Sequence, residues 1–198
     1  MTPIVLASKS ASRQAILRAA GAPFEVMSSG VDEDAAKARL LDAGLGPCQI
    51  AEHLAEAKAV AVSKALPGAI VIGADQTLDL DGELFDKVET LAEGRARLRQ
   101  LRGRSHRLHS AVVVAQHGMP IWRHVESPRL VMRAASDVFI DAYLTRHGEA
   151  LLGSVGVYQL ENDGAQLFEV IDGDYFAILG LPLLPLLALL REKGALAA

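Results

Sequence analysis

Residues 3–21, PIVLASKSASRQAILRAAG, contain an apolar run, a short polar segment and a helical pattern in immediate succession. The apolar run has the length of a strand, and Ile16, Leu17 and Ala20 recur at the spacing of one helix face. Gly21 then ends the helical pattern. The stretch therefore predicts a strand, a polar turn and a helix, a unit typical of α/β folds.

Strand and helix patterns continue to alternate along the rest of the chain. Strands are predicted at 24–27, 69–75, 78–85 (a hairpin turning at 81–82), 108–115, 121–133, 158–160 and 166–171, and helices from 47 up to Pro67 and at 91–101, 136–147 and 182–193. The acidic run 32–34 is predicted to be a loop. This order favours an α/β fold with a mixed twisted β-sheet and flanking helices, divided into two lobes around a cleft.

The composition is that of a globular protein with a sizeable core. The chain has 198 residues, of which 51% are hydrophobic and 22% charged, and we expect a single domain over 1–198. The net charge of −4 provides no overall attraction to nucleic acid or to an acidic membrane surface. Aromatic residues are 5% of the chain, so the chain offers few rings on which nucleic-acid bases could stack. We therefore expect neither a nucleic acid nor a membrane as a partner.

Cysteine usage and the apolar segments indicate where the protein works. Cys48 is the single cysteine, which excludes an internal disulfide and fits a reducing compartment. Residues 1–11 have too short an apolar run for a signal peptide. The apolar segment 179–190 is short for a membrane span and contains two prolines, so we expect a buried terminal helix. These features predict a cytoplasmic protein.

The polar segment at 8–13, SKSASR, places hydroxyl groups and two cations at the start of a predicted helix. The unpaired N–H groups and the dipole of a helix N-terminus favour an anion such as phosphate. The alternative is ordinary helix capping by Ser8 or Ser10, with Arg13 as a solvated surface charge. The segment lacks the glycines of a Walker loop.

An ordered series of motifs along nearly the whole chain resembles one family. The series begins with 6–13 (LASKSASR) and continues with 32–33 (DE), 57–59 (AKA), 73–77 (GADQT), 86–87 (DK), 101–106 (LRGRSH), 173–175 (GDY) and 180–183 (GLPL). The chain is thus similar to the Maf family of nucleoside triphosphate pyrophosphatases. The resemblance implies a Maf/inosine triphosphatase-like fold with a nucleotide-binding cleft. It also implies hydrolysis of a nucleoside triphosphate to its monophosphate and pyrophosphate.

The resemblance gives catalytic and metal-binding roles to two carboxylates. It assigns the proton acceptor to Asp75, although an Asp after an apolar strand would also suit the cap of a turn. Glu33 and Asp75 are expected at a divalent cation, Mg²⁺ or Mn²⁺, because these metals prefer oxygen ligands. For Glu33 the alternative is a solvated residue of the acidic run.

The resemblance also implies a set of residues that bind the triphosphate of the substrate. They are Ser8, Ser10, Arg13, Lys58 and Lys87. Lysines supply point charges for phosphate oxygens, although each of these lysines alone would pass for a routine surface residue. The chain departs from the family where Asp86 replaces the usual glutamate and Val88 the usual proline. The shorter Asp86 could alter the metal geometry.

Three positions are linked to base choice in the family, and here they hold Ser12, Gln76 and Glu161. Gln76 and Glu161 resemble the branch that acts on N7-methylated GTP. A carboxylate accepts hydrogen bonds from the N1–H and amino groups of guanine and has nothing to offer the acceptors of thymine. Ser12 departs from that branch because it replaces a bulky aromatic residue.

Other features leave alternatives open. The loop that carries Arg102, Arg104 and His106 is either a phosphate clamp or a solvated turn. The remaining histidines show no metal-ligand spacing, so no zinc site is proposed. A competing function is a nucleotide-binding regulator of septum formation without strong catalysis, which the intact Asp75 and Lys58 argue against. For a protein of this size we expect a homodimer.

Overall fold

The structure, a computed structural model, describes residues 2–197 of the chain. Within this range eight strands belong to one sheet. The strands are β1 Ile4–Leu6, β2 Glu25–Val26, β3 Ile70–Leu80, β4 Glu83–Phe85, β5 Ser105–Gln116, β6 Met119–Glu126, β7 Arg129–Met132 and β8 Phe168–Asp172. The α-helices of the same range are α1 Ala11–Ala19, α2 Glu33–Asp42, α3 Pro47–Ala65, α4 Leu91–Leu101, α5 Asp137–His147, α6 Tyr175–Ile178 and α7 Leu183–Glu192. Short 3₁₀ helices cover Gly148–Gly153 and Asp163–Leu167.

The sheet is mixed, with strand order β2-β1-β3-β5-β7-β8, and β4 and β6 pair with β3 and β5. β1 runs parallel to β2 and β3, whereas β5 runs antiparallel to β3, β6 and β7. Alternate residues of a strand point to opposite faces of its sheet. On β5, Val113 packs with α3 and Val112 with α1 and α7, so helices flank both faces. The predicted α/β architecture with a mixed sheet is confirmed.

The first unit of the chain folds as the sequence predicts. β1 is fully buried, and its strand is followed by a turn that ends in α1. Ser10 caps the helix, because its hydroxyl accepts a hydrogen bond from the backbone N–H of Arg13 at 3.4 Å. The chain leaves the helix through Gly21, whose φ of +70° is open to glycine without steric cost. This unit directs residues 8–13 toward the edge of β3.

β3 extends further than the predicted strand, because it continues from Ile70 to Leu80 without interruption. The predicted end of the strand at Asp75 is wrong: the ladder with β5 runs through Asp75, which lies opposite Ala111. Asp75 also suited the cap of a turn, but hydrogen bonds to β5 keep the backbone extended at this position. The predicted hairpin turn is confirmed at Asp81 and Gly82, which have φ values of 57° and 88°.

The acidic run 32–34 does not form the predicted loop but begins α2. The side chain of Asp32 caps this helix by accepting a hydrogen bond from the N–H of Ala35 at 3.0 Å. Glu33 and Asp34 occupy the first turn, where negative charge is favoured by the helix dipole. α2 has no buried residue. It therefore carries no apolar periodicity by which the sequence could have revealed it.

Two further predictions about strands differ from the structure. The predicted strand 121–133 is broken at Ser127 and Pro128 into β6 and β7, since proline cannot donate to the ladder. The predicted strand 158–160 is wrong, because this segment is a turn between the two 3₁₀ helices. The apolar side chains of Tyr158 and Leu160 pack into the core, and neither residue pairs with a strand. The short helix α6 was also not predicted.

The core on one face of the sheet divides into two large apolar clusters. β3 contributes Ala74 to the cluster that contains α1 and α7, and Leu78 to the cluster that contains α4 and α5. Gln76 lies between these two residues and directly opposite Ser110 of β5. This polar pair interrupts the apolar face. The two clusters correspond to the two predicted lobes.

A gap in the strand pairing of β3 separates the same two lobes. On the side of β3 away from β5, residues 70–72 pair with β1 and residues 78–80 pair with β4. Between them, residues 73–77 have no strand on that side within the described range. The gap exposes Asp75 and Gln76 to the same space, although their side chains leave opposite faces of the sheet.

The apolar C-terminal segment forms the predicted buried helix. α7 begins directly after Pro182, and Leu186 and Leu190 are fully buried against the sheet. Among residues 2–197, no helix is both long and apolar enough to cross a bilayer.

We predict that Gly73→Ala destabilises the fold, because the backbone of α3 lies directly against Gly73 of β3. A Cβ atom there would lie 2.6 Å from the nitrogen of Ala59 and 2.8 Å from its Cβ, and would also overlap the carbonyl oxygen of Ala55. Overpacking of this kind should lower the free energy of unfolding by about 3 kcal/mol, measured by urea denaturation. Gly68→Ala is the control, since its Cβ would meet nothing within 4 Å. Equal stability of the two variants would contradict the close approach.

Candidate active site

The residues that the sequence selected from six separate segments line one cleft of about 760 Å³. The cleft opens at the gap beside β3, between the two lobes. Its lining includes every predicted site residue, namely Ser8, Ser10, Ser12, Arg13, Glu33, Lys58, Asp75, Gln76, Lys87 and Glu161. Their convergence is a result of the tertiary structure, because helices α1, α2 and α3, strand β3 and two loops each supply part of the set.

Arg13 is buried in the wall of the cleft and is not the solvated surface charge of the alternative interpretation. Its Nε donates to the carbonyl oxygen of Gly180 at 2.7 Å, and its Nη1 donates to Ser8 Oγ at 3.2 Å. Burial lowers the pKa of Arg13, and the charges of Asp75 and Glu33 oppose this shift. A guanidinium remains protonated in proteins. The cleft therefore contains a fixed positive charge at the start of α1.

Lys58 joins three elements at the centre of the site. Its Nζ lies 2.7 Å from Asp75 Oδ1 and 2.7 Å from Glu33 Oε2. The side chains of Lys58 and Asp75 are 6% and 11% exposed, whereas that of Glu33 is 50% exposed and borders the open cleft. A buried charge is costly unless it is paired. Lys58 and Asp75 therefore depend on each other, and Glu33 adds a second carboxylate to the pair.

The carboxamide of Gln76 has a fixed orientation. Its Nε2 lies 2.7 Å from Ser110 Oγ and 3.0 Å from each of the carbonyl oxygens of Ala177 and Ile178, three acceptors that share its two N–H groups. Reversing the amide would place Oε1 against oxygen atoms that need donors. Gln76 therefore offers only Oε1, an acceptor, to the cleft. The hydroxyl of Ser12 is also engaged, since it donates to the carbonyl oxygen of Leu179 at 2.8 Å.

Lys87 lies on the loop after β4 and lines the cleft. Desolvation, followed by repulsion from Arg13, lowers the pKa of Lys87. Its neighbour Asp86 forms an ion pair with Lys37 of α2, and the carbonyl oxygen of Asp86 accepts a hydrogen bond from Arg97 at 2.7 Å. The shorter Asp86 is thus held by protein contacts on both sides.

Lys37 and Arg97 are site-supporting residues that the sequence analysis missed. Lys37 follows Glu33 by four residues on α2, so the two share a helix face, but α2 itself was not predicted. Arg97 of α4 also donates to the carbonyl oxygen of Val155 at 2.7 Å, and so connects two walls of the cleft. Nothing in the sequence around Arg97 distinguishes it from a surface arginine.

The basic loop after α4 is not a phosphate clamp. Arg102 pairs with Asp137 at 2.9 Å, and Arg104 pairs with Asp81. Neither arginine lines the cleft, so the interpretation as a solvated turn is the correct one. His106, from the same motif, is 2% exposed and lies in the core.

The carboxylates of the cleft fit a divalent metal that arrives with a phosphate ligand. In the part of the chain that the structure describes, no group of three or more His, Cys, Asp or Glu side chains could hold an ion alone. Mg²⁺ usually takes only one or two carboxylates and completes its shell with phosphate oxygens and water. Glu33 and Asp75, within reach of the same Lys58 Nζ, provide such a pair.

Comparisons with known proteins identify the family. The model of the family described as Maf-like protein matches residues 3–193, and the chain therefore belongs to this family. A nucleoside triphosphate pyrophosphatase of Caulobacter vibrioides is 61% identical over 99% of this chain and 98% of its own length. A 7-methyl-GTP pyrophosphatase of Brucella abortus is 50% identical over 96% of both chains. A Maricaulis maris protein that is also named nucleoside triphosphate pyrophosphatase is 51% identical over 99% of both chains.

We predict that Lys58→Met destabilises the protein strongly, because it leaves the buried carboxylate of Asp75 without its partner. Breaking a buried pair from one side should lower the free energy of unfolding by about 3 kcal/mol. Adding Asp75→Asn should recover most of this loss, since the uncompensated charge is then removed. Urea denaturation of the single and double variants measures both effects.

Arg104→Met is the matched control, because its ion pair with Asp81 is exposed and should contribute little. A Lys58→Met protein as stable as Arg104→Met would show that Lys58 and Asp75 do not depend on each other.

Proposed function

We propose that this chain hydrolyses nucleoside triphosphates to the monophosphate and pyrophosphate. The observation that carries the proposal is the position of Asp75, a buried carboxylate paired with Lys58, in the same cleft as Arg13 and Lys87. The names of the relatives in Caulobacter vibrioides and Brucella abortus support it. The alternative of a binding protein without catalysis is not favoured, because Asp75, the carboxylate proposed as the base, and its partner Lys58 are both present in the cleft.

The triphosphate binds, in this proposal, between α1 and the Lys87 loop. Arg13 and Lys87 both line the cleft, and Ser8 and Ser10 add hydroxyl groups at the N-terminus of α1. Backbone N–H groups and the helix dipole at this position favour the negative charge of phosphate. Lys58 adds a positive charge beside the carboxylates. A triphosphate carries more negative charge than these cations neutralise, which leaves a place for a divalent metal.

Asp75 acts as the general base in this proposal. It accepts a proton from a water molecule, whose oxygen forms a bond to the α phosphorus atom while the bond between that phosphorus and the bridging oxygen breaks. Pyrophosphate leaves with the bridging oxygen. Glu33 and Asp75 would hold Mg²⁺ or Mn²⁺, which supplies charge neutralisation on the phosphate oxygens during bond breaking. Lys58 orients the carboxylate of Asp75 through its 2.7 Å contact.

The base contacts favour a guanine-type edge. Gln76 presents only its Oε1 to the cleft, and Glu161 supplies a carboxylate from the segment after Tyr158. Two acceptors match the adjacent N1–H and amino donors of guanine, whereas uracil and thymine offer one donor between two acceptors. Gln76 thus acts only as a hydrogen-bond acceptor toward the base, whereas a free amide could turn to donate or to accept. Ser12 leaves the space open where the family branch has an aromatic residue.

Two statements about the whole protein remain proposals of the same kind. We propose that the chain is a single domain over 1–198, since one sheet carries both lobes, and that it forms a homodimer. Light scattering of the purified protein measures the oligomeric state directly.

We predict that purified protein releases pyrophosphate and a nucleoside monophosphate, and that chelation by EDTA abolishes this until Mg²⁺ or Mn²⁺ is added. Asp75→Asn should lower kcat by roughly 100-fold or more in a protein that remains folded, because loss of a general base typically has this effect and Lys58 keeps the carboxylate of Glu33 as its partner. A coupled pyrophosphate assay and chromatography of the nucleotides measure both.

Asp79→Asn is the matched control, because it makes the same chemical change on the same strand but outside the lining of the cleft. Release of orthophosphate and a nucleoside diphosphate would show that a different bond is cleaved from the one proposed. Near-normal turnover of a folded Asp75→Asn protein would remove Asp75 from the role of base.

We predict that Glu161→Gln shifts substrate choice away from guanine. Leaving base donors unpaired should lower kcat/KM for GTP and N7-methylated GTP by about tenfold relative to UTP. Glu169→Gln on β8 is the control, since Glu169 is exposed and does not line the cleft. A parent enzyme that clearly prefers UTP or thymidine triphosphate would contradict this role of Glu161.

A further inference from the structure

The aromatic ring of Tyr158 forms part of the cleft wall, three residues before Glu161. Tyr158 is 4% exposed, so most of its surface is fixed against the protein and only a small part can face a ligand. Leu160 and Ile178 line the same cleft and belong to the same apolar cluster. The lobe that contains Tyr158 therefore provides an apolar wall beside the residues proposed to read the base.

The backbone before Tyr158 has an unusual conformation that places the ring. Val157 has a φ of 59°, in the left-handed region that β-branched residues avoid, and it is fully buried. Position 156 requires glycine, because a Cβ atom there would lie 2.7 Å from Cδ1 of Tyr158 and would displace the ring. Such strain persists only when the surroundings determine the conformation, and it is concentrated at functional sites.

The hydroxyl of Tyr158 is held from within the core by His106. The His106 Nε2 lies 2.8 Å from the phenolic oxygen, and the ring of Phe168 packs edge-on against Tyr158 at 4.8 Å. Burial lowers the pKa of His106 to about 4 and raises the pKa of Tyr158, so both groups are neutral at pH 7. The contact is a neutral hydrogen bond inside an apolar cluster.

The proposed hydrolysis makes no use of His106. Its side chain does not line the cleft, and its Nδ1 is buried without a hydrogen-bond partner in the described part of the chain. A buried polar atom without a partner is unfavourable, and an apolar residue at this position would avoid the penalty. Within residues 2–197, the hydrogen bond to Tyr158 is the single one that the side chain of His106 makes.

We propose that His106 is a positioning residue, which holds the Tyr158 ring as a wall for the nucleobase and thereby sets the affinity for the nucleoside part of the substrate. Tyr158 contacts the base, and His106 acts through Tyr158. The inference rests on the proposed function in that it takes a nucleotide as the ligand. To that function the inference adds Tyr158 as a residue that contacts the base, and His106 as the residue that supports Tyr158 from the core.

The test compares the binding of two ligands by isothermal titration calorimetry in the presence of Mg²⁺. One is a GTP analogue with a methylene group between the α and β phosphorus atoms, and the other is inorganic tripolyphosphate. His106→Leu should weaken binding of the analogue by about twofold to fivefold, where the upper limit is the factor for one buried hydrogen bond used entirely to hold the ring, and change tripolyphosphate binding by less than about twofold. Tyr158→Phe removes the same bond and should give the same result. His106→Gln, whose amide nitrogen can replace Nε2, should retain parental affinity.

His109→Leu is the matched control, because His109 is a buried histidine of the same strand that bonds to Asp79 and Ser127, away from the cleft. It should leave both affinities unchanged. Equal losses for both ligands, or unchanged affinity for the analogue in both His106→Leu and Tyr158→Phe, would overturn the positioning role. Parent protein that binds the analogue but releases no pyrophosphate from GTP overturns the proposed hydrolysis alone. Parent protein that binds neither ligand overturns both.

Discussion

The ion pairs of Lys58 are the interaction on which the site depends. One buried ammonium group lies 2.7 Å from carboxylates of two other elements, Asp75 on β3 and Glu33 on α2. The charges of Lys58 and Asp75 would be costly to bury alone, so α3 and β3 are constrained to meet at this point, and the half-exposed Glu33 adds α2. The same arrangement places a potential base, a potential metal ligand and a cation within a few ångströms. Stability of the fold and chemistry of the cleft thus rest on the same contacts.

The gap beside β3 explains how a single strand serves two functions. Residues 73–77 lie between the segments that pair with β1 and β4, so both faces of the strand reach the cleft there. Asp75 turns toward α3 and Lys58, whereas Gln76 turns toward Ser110 and α6. Neighbouring positions in the sequence are therefore assigned, in our proposal, to phosphate hydrolysis and to base recognition. The alternation of a β-strand is the physical basis of this division.

Sequence reasoning found the elements that bury an apolar face and failed where burial was absent or irregular. Helices α1, α3 and α7 and the hairpin at Asp81 were predicted because periodicity and turn residues mark them. α2 has no buried residue and so left no such mark, and with it Lys37 was missed. The segment 158–160 was taken for a strand, because an apolar run does not distinguish burial in a core from pairing in a sheet. Arg97, which joins two walls of the cleft, has no local signal at all.

The sequence by itself determined the residue types of the site. Its motifs contain the cations Arg13 and Lys58, which suit a triphosphate, and the carboxylate Asp75, which suits a general base. It also determined the α/β class through the spacing of its apolar runs. Only the tertiary structure decided that Arg13 is buried while Arg102 and Arg104 form surface pairs, because sequence neighbours do not reveal which side chains face the core. It likewise decided the orientation of the Gln76 amide. That orientation depends on Ser110 and on the carbonyl groups of α6, which lie more than thirty and about a hundred positions away along the chain.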